Sequence, residues 1–235
     1  MKVRLAVLMA AIAAAAAPAV AGETSVTALT TFTETFDVAN DGGWTFGTGY
    51  EYVDPASGHP GACLRDDNLA TAIPKASTSF GTSSPFTGDW ASRGVVSIGI
   101  DLATIYAEGS IATMPLSIVL LNDNGTPFDL TDDWGAFFVT DRIVPQPGVI
   151  GFAGTDEMLN WVSYDFAIPA TSRQWPEGWR WIARGGYVHD RGAWGRLMRD
   201  VSHVGFTYGD PSMIWPFRNW DLALDNPRIT WTVAP

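Results

Sequence analysis

The sequence is poor in cysteine, in basic residues and in long apolar runs. Its one cysteine, Cys63, excludes an internal disulfide, and the small apolar run around it predicts a buried, unreactive thiol. The 25 acidic residues outnumber the 14 basic ones, giving a net charge of −11, which argues against partners such as nucleic acid or an anionic membrane. Beyond the first 21 residues, no apolar run is long enough to cross a bilayer.

The N-terminus has the features of an export signal. Lys2 and Arg4 precede an apolar run from residue 5 to 16, and Ala19-Val20-Ala21 is a small-residue cleavage site. This order predicts a signal peptide over residues 1–21, cleaved near Ala21. We therefore expect a secreted or periplasmic product, residues 22–235, that forms a single domain and a monomer.

The rest of the chain has the periodicity of strands, with Gly, Pro, Asn and Asp turns between them and no alternation of strands with helices. This pattern predicts an all-β fold, an antiparallel β-sandwich, with one short helix over 193–199. The Ser/Thr-rich segment 71–85 is interpreted as a loop. The predicted strands lie at 26–36, 94–100, 116–121, 134–140, 161–168, 201–208 and 228–233.

Two acidic turns lie near opposite ends of the chain. The first is in Phe36-Asp37-Val38-Ala39-Asn40-Asp41-Gly42-Gly43-Trp44, and the second is Leu224-Asp225-Asn226, just before the last strand. Their positions predict that the two ends of the chain pair in the same sandwich.

The order of several short motifs resembles bacterial secreted proteins related to the laminin B (laminin type IV) domain. Leu224-Asp225-Asn226 before a final strand is also similar to galactose-binding-like jelly rolls and carbohydrate-binding modules. The resemblance implies a jelly-roll β-sandwich over nearly all of the mature chain. The motifs are Phe36-Asp37 with Asp41 to Trp44, Gly58 to Asp66, Ser84 to Trp90, Ile100-Asp101-Leu102, Phe166 to Pro169, Trp175 to Trp179 and Val201 to Phe206.

The resemblance also implies a structural calcium ion between the two acidic turns. Calcium takes six to eight oxygen ligands, so two turns brought together could supply them. By position, the carboxylates expected to bind it are those of Asp37 and Asp225, with Asp41 as a further candidate. The alternative is that Asp37 and Asp41 cap a turn and that Asp225 forms an Asx turn with its own backbone.

Aromatic and basic residues crowd the segment 173–199. Exposed rings can stack on sugar rings while arginine binds hydroxyl groups, so this segment is the candidate ligand surface. The alternative is structural, because Trp in a sandwich is usually core. Trp175 and Trp179 flank a turn and are expected to be the most exposed of the set. The ligand-binding candidates are Trp175, Trp179, Arg180, Trp181 and Tyr187.

Catalysis has no positive signal. The sequence contains no nucleophile elbow, zinc-protease motif or phosphate loop, and His203 is interpreted as a satisfied strand histidine. The cluster Asp129, Asp132 and Asp133 is interpreted as a solvated turn. These observations predict a secreted, non-catalytic module that binds extracellular carbohydrate or a surface polymer. The alternatives are a structural or adhesive protein with protein partners and, third, a polysaccharide-active enzyme.

Overall fold

A computed structural model describes residues 28–37, 42–111, 113–127, 129–147, 159–184 and 189–233, and this part of the chain is mostly strand. The all-β prediction is therefore confirmed. In chain order the elements are β1 (Ala28–Thr33), β2 (Trp44–Thr45), β3 (Tyr52–Gly58), β4 (Gly61–Thr71), β5 (Lys75–Thr78), α1 (Trp90–Arg93), β6 (Val95–Ala107), β7 (Pro115–Asn122), β8 (Trp134–Ile143), β9 (Val162–Ala167), β10 (Trp179–Ala183), α2 (Ala193–Arg199), β11 (His203–Tyr208) and β12 (Arg218–Val233).

The strands form two six-stranded sheets. Sheet A has the order β3-β4-β12-β6-β9, with β1 also paired with β12, and sheet B has the order β10-β8-β7-β11-β5-β2. The strand pairs in both sheets are antiparallel. Strand β1 pairs with the end of β12, with Ala28 opposite Val233. The prediction that the two ends of the chain pair is therefore confirmed.

The core lies between the inner faces of the two sheets. Side chains alternate along a strand, so every second residue of each sheet faces the other sheet. Tyr208 of sheet B packs edge-on against Trp220 of sheet A, with ring centroids 5.7 Å apart. Phe166 of sheet A and Phe206 of sheet B lie 6.4 Å apart by the same measure. A fully buried large apolar side chain contributes about 1.5–3 kcal/mol, so this layer is the main source of stability.

The sequence predicted one helix, and the described residues contain two short ones. Helix α2 has the predicted bounds. Helix α1 was not predicted; the Asp89 carboxylate caps it by accepting a hydrogen bond from the Ser92 amide at 2.8 Å, and Gly94 ends it at a positive φ of 65°. No helix in the described part of the chain is long and apolar enough to span a membrane.

The interpretation of residues 71–85 as a loop is wrong. Strand β5 lies inside this segment and pairs with β11 in sheet B, with Ser77 opposite Gly205. Serine and threonine resemble loop composition, but here they occupy a strand that is hydrogen-bonded on both sides. This correction matters because β5 carries part of the candidate site.

Candidate functional site

The outer face of sheet B contains a cavity of about 310 Å³, which we call the sheet-B cavity. Its walls are mainly apolar, and they come from strands β5, β7, β10 and β11 and from the loops that adjoin them and β8. This volume lies at the lower end of the range for small-ligand sites. The cavity is lined by Ile73, Lys75, Ser77, Phe80, Val119, Leu121, Leu130, Asp133, Ile182, Arg184, His203, Gly205, Thr207 and Pro211.

Strand register brings the floor of the cavity together. Gly205 of β11 lies between Val119 of β7 and Ser77 of β5, and these three residues share the outer face. The next pair of residues on the outer face of β11 and β5 is Thr207 and Lys75, which lie directly opposite each other. Because residue 205 is glycine, the row across the sheet has no side chain at its middle, and this gap helps to form the hollow.

Three buried polar atoms in the cavity wall have no hydrogen-bond partner in the part of the chain that the structure describes. They are Ser77 Oγ, Asp133 Oδ1 and Thr207 Oγ1; Trp44 Nε1 is the one other such atom among the described residues. Leaving a buried polar group unpaired costs about 1–3 kcal/mol, so three at one cavity are a functional signal. A ligand with hydroxyl or other polar groups would supply the missing partners.

One wall of the cavity is an aromatic stack. The ring of Phe80 lies parallel to the imidazole of His203, with centroids 4.4 Å apart and an interplanar angle of 4°. Nδ1 of His203 lies 3.3 Å from Thr78 Oγ1, in agreement with the interpretation of a satisfied strand histidine. Burial, followed by the charge of Lys75, lowers the pKa of His203 to about 3. The imidazole is therefore neutral at physiological pH.

Among the described lining residues, the charged groups of the cavity are two cations and one carboxyl group. Burial and the charge of Arg184 lower the pKa of Lys75. Burial raises the pKa of Asp133, and the neighbouring carboxylates of the 123–132 loop add to the rise, while Arg184 opposes it. The interpretation of the acidic cluster as a solvated turn is therefore wrong for Asp133, which is 6% exposed.

Strand alternation divides the ligand-binding residues that the sequence predicted. Trp179 and Trp181 lie on the inner side of β10 and pack against the core, whereas Arg180 lies on the outer side. The expectation that Trp179 is exposed is wrong, because its exposed fraction is 8% and its ring packs against Trp194. Arg180 pairs with Asp210 at 2.8 Å and lies on the face that carries the cavity.

Trp175 lies at a surface recess, but its ring is committed to internal contacts. Trp181 and Trp194 each meet it edge-on, at centroid distances of 5.6 Å. Its Nε1 donates a hydrogen bond to the carbonyl of Trp179 at 2.7 Å. Trp175 therefore acts first as a packing residue. The predicted ligand residue Tyr187 lies outside the described residues.

The predicted calcium ligand Asp225 is part of a buried polar cluster on sheet A. Its carboxylate accepts hydrogen bonds from the amides of His59 and Asn226. Burial, together with the nearby charge of Asp101, raises its pKa to about 6, although the two amide donors oppose the rise. Asp101 itself pairs with Arg228 at 2.9 Å. The cluster holds the middle of β12 to the turn between β3 and β4.

Of the other predicted calcium ligands, Asp37 lies near this cluster, because its Oδ1 is beside Gly61, next to the turn that carries His59. Asp37 is exposed and accepts a hydrogen bond from the Thr35 hydroxyl at 2.8 Å. Asp41 lies outside the described residues. Within the described ranges, no three His, Cys, Asp or Glu side chains are grouped as metal ligands would be. Calcium binding stays a prediction.

Three residues of the cavity were not predicted as site residues from the sequence: Lys75, Ser77 and Thr207. The sequence feature that could have identified Thr207 is the alternation along 203–207, which places His203 and Thr207 on one face of a strand. Which residues of β5 lie opposite them depends on register, and register is not visible in a single sequence.

No protein-family model matches the sequence, and no curated protein matches it. Solved structures match the chain at low scores. An exo-beta-agarase matches over 87% of this chain and 25% of its own, at 12% identity and a TM-score of 0.43. SGBP-B from a complex xyloglucan utilization locus in Bacteroides uniformis matches over 86% of this chain and 49% of its own, at 15% identity and a TM-score of 0.34.

A third similar structure is a non-crystalline cellulose specific carbohydrate-binding module. It matches over 83% of this chain and 90% of its own, at 8% identity and a TM-score of 0.35. The present chain thus spans about a quarter of the agarase and half of the xyloglucan-locus protein. At these scores the likeness contributes nothing to the choice of site.

Proposed function

We propose that this chain is an exported, non-catalytic module that binds a saccharide in the sheet-B cavity. The observation that carries the proposal is the set of unpaired polar atoms of Ser77, Asp133 and Thr207 at one apolar-walled cavity. A sugar offers both hydroxyl groups, which can pair with these atoms, and apolar ring faces, which can pack on the walls.

A binding role fits the cavity better than glycoside hydrolysis does. Hydrolysis by the usual mechanisms needs two carboxyl groups facing each other across the bond that is cleaved. Of the described residues that line the cavity, Asp133 alone carries a carboxyl group. It can accept a hydrogen bond from a sugar hydroxyl, but it has no acidic partner there for acid and base roles.

The test is calorimetric titration of the purified chain with a panel of neutral and acidic oligosaccharides. Val119 lies on the cavity floor, so Val119→Trp should fill the cavity and abolish binding. The matched control is Val162→Trp, at an exposed valine on sheet A outside the cavity, which should bind as the native chain does. Equal affinity of Val119→Trp and the native chain, or no binding to any saccharide, would overturn the proposal.

A second candidate function, adhesion to a protein partner, is favoured by one surface feature. The loop between β11 and β12 exposes Met213 by 56%, Ile214 by 100% and Phe217 by 71%. Neighbouring exposed apolar side chains are typical of protein contacts. Adhesion of cells to the immobilised chain tests this candidate. Adhesion that survives periodate oxidation of cell-surface sugars and is lost in Ile214→Ser would favour it over saccharide binding.

A further inference from the structure

Charge in the sheet-B cavity departs from that of the protein as a whole. The chain carries a net charge of −11, yet Lys75 and Arg184 outnumber Asp133 among the charged lining residues that the structure describes. His203 adds no charge because its imidazole is neutral. The cavity is thus a locally cationic site in an acidic protein, and it attracts anions that most of the surface repels.

Lys75 is a partly buried cation that lacks a carboxylate partner in the described part of the chain. Its ammonium group lies 5.7 Å from the ring centre of Phe80. A buried cation of sheet A is neutralised instead, because Arg65 pairs with Asp54 at 3.0 Å. An unpaired, desolvated ammonium group is unfavourable, and the lowered pKa of Lys75 reflects this. An anionic ligand would pair with the ammonium group of Lys75 and remove this unfavourable free energy.

Hydrogen-bond donors surround the same position. Thr207 lies directly opposite Lys75 across the β5–β11 pair, and Ser77 is two residues along β5 on the same face. The hydroxyl groups of both residues have no hydrogen-bond partner within the described ranges. An anionic oxygen beside the ammonium group of Lys75 could therefore accept hydrogen bonds from both hydroxyl groups, and charge-assisted hydrogen bonds are the strong ones.

We infer that the saccharide bound in the sheet-B cavity carries an anionic group, a uronate carboxylate or a sulfate ester, which Lys75 and Arg184 hold. This inference rests on the proposed function and adds the chemical class of the ligand. The neutral part of the sugar packs on the apolar walls, and the anion lies at the Lys75 end of the cavity beside Ser77 and Thr207.

Matched oligosaccharides test the inference by calorimetry. One pair is oligogalacturonide and its methyl ester, and the other is a sulfated carrageenan oligomer and its desulfated form. We expect at least ten-fold tighter binding of the charged member, and the pair that shows it identifies carboxylate or sulfate as the source. Lys75→Met should remove the preference for the charged member, and Lys75→Arg should retain it. Arg173→Met, at an exposed arginine outside the sheet-B cavity, is the matched control and should leave the preference intact.

The scarcity of lysine gives a direct reporter of where the anion binds. Lys75 is one of two lysines in the sequence, the other being Lys2. Reductive ¹³C-methylation therefore gives few signals, and the Lys75→Arg variant assigns the one from Lys75. The charged oligosaccharide should shift this signal and raise the pKa that it reports. If the charged member binds no more tightly than the neutral one and both shift the Lys75 signal alike, the inference is wrong and the proposed function stands. If no oligosaccharide binds, both fail.

Discussion

Replacement of Thr207 by valine should make the protein more stable and its binding weaker. Thr207 is 7% exposed, and its hydroxyl group has no hydrogen-bond partner among the described residues. Valine has the same shape and replaces this hydroxyl with a methyl group. Thr78 on the adjacent strand gives a matched control, because it is also buried but its Oγ1 accepts a hydrogen bond from the Val204 amide at 3.0 Å.

The two substitutions should change the free energy of unfolding in opposite directions. An unpaired buried hydroxyl costs about 1–3 kcal/mol. Thr207→Val should therefore raise the free energy of unfolding by about 1 kcal/mol, because imperfect packing of the new methyl group offsets part of the benefit. That gain corresponds to a rise of about 2–4 °C in melting temperature for a chain of this size. Thr78→Val leaves the Val204 amide without its side-chain acceptor and should lose about 1–3 kcal/mol.

The assay has two parts. Thermal and urea unfolding of both variants give the sign of the stability change, and calorimetry with the best-bound oligosaccharide gives the affinity. If Thr207 pairs with the ligand, Thr207→Val should weaken binding by about 2- to 10-fold, the value of one hydrogen bond. Thr207→Val would then raise stability and lower affinity, as expected where a protein keeps a destabilising group because its function needs it.

If Thr207→Val lowers the melting temperature as Thr78→Val does, the Thr207 hydroxyl is already satisfied in the free protein, for example by a fixed water molecule. The unpaired atoms would then be no signal of a ligand, and the proposed function would lose its main support.

Two further predictions concern acid and metal. Unfolded histidine titrates near pH 6.5, whereas the pKa of buried His203 is about 3, so below about pH 6.5 the unfolded chain takes up a proton that the folded chain does not. His203 should therefore lower the free energy of unfolding by about 2 kcal/mol between pH 8 and pH 5. Urea unfolding of the native chain and of His203→Gln at both pH values tests this, because other groups titrate equally in both and the variant should show a loss smaller by about this amount. If calcium binds at Asp37 and Asp225, a chelator should lower the melting temperature because the ion binds only the folded state. An unchanged melting temperature would remove both residues from the metal site.

The sequence predicted the features of the fold that depend on local pattern. Alternation located most long strands, and helix α2 has its predicted bounds because Gly192 and Asp200 flank it. The pairing of β1 with β12 was predicted from acidic segments near the two ends of the chain, but the prediction that Leu224-Asp225-Asn226 is a turn before the last strand is wrong, because these residues lie inside β12. Strand β5 was missed because its residues, Lys75–Thr78, lack the apolar alternation of a half-buried strand. Its place in the sheet is set by pairing with β11, which is a long-range effect.

The candidate site was less predictable than the fold because its residues come from separate strands. Lys75 and Thr207 are far apart in sequence and meet only through the β5–β11 register. No local motif reports such a pair. The aromatic residues of the segment 173–199 could be recognised in the sequence, but their number did not show which of them lie in the core and which at the surface.

The segment around β10 shows how one strand can contribute to both the core and the site. Its tryptophans, Trp179 and Trp181, face inward and close the sandwich, while Ile182 and Arg184 face outward and line the sheet-B cavity. Arg180, between the tryptophans, lies on the same outer face. A side chain cannot change face without a shift of register, which would also expose both tryptophans. The packing of the core therefore fixes the positions of the arginines, and the cavity receives a rigid wall from residues whose neighbours stabilise the fold.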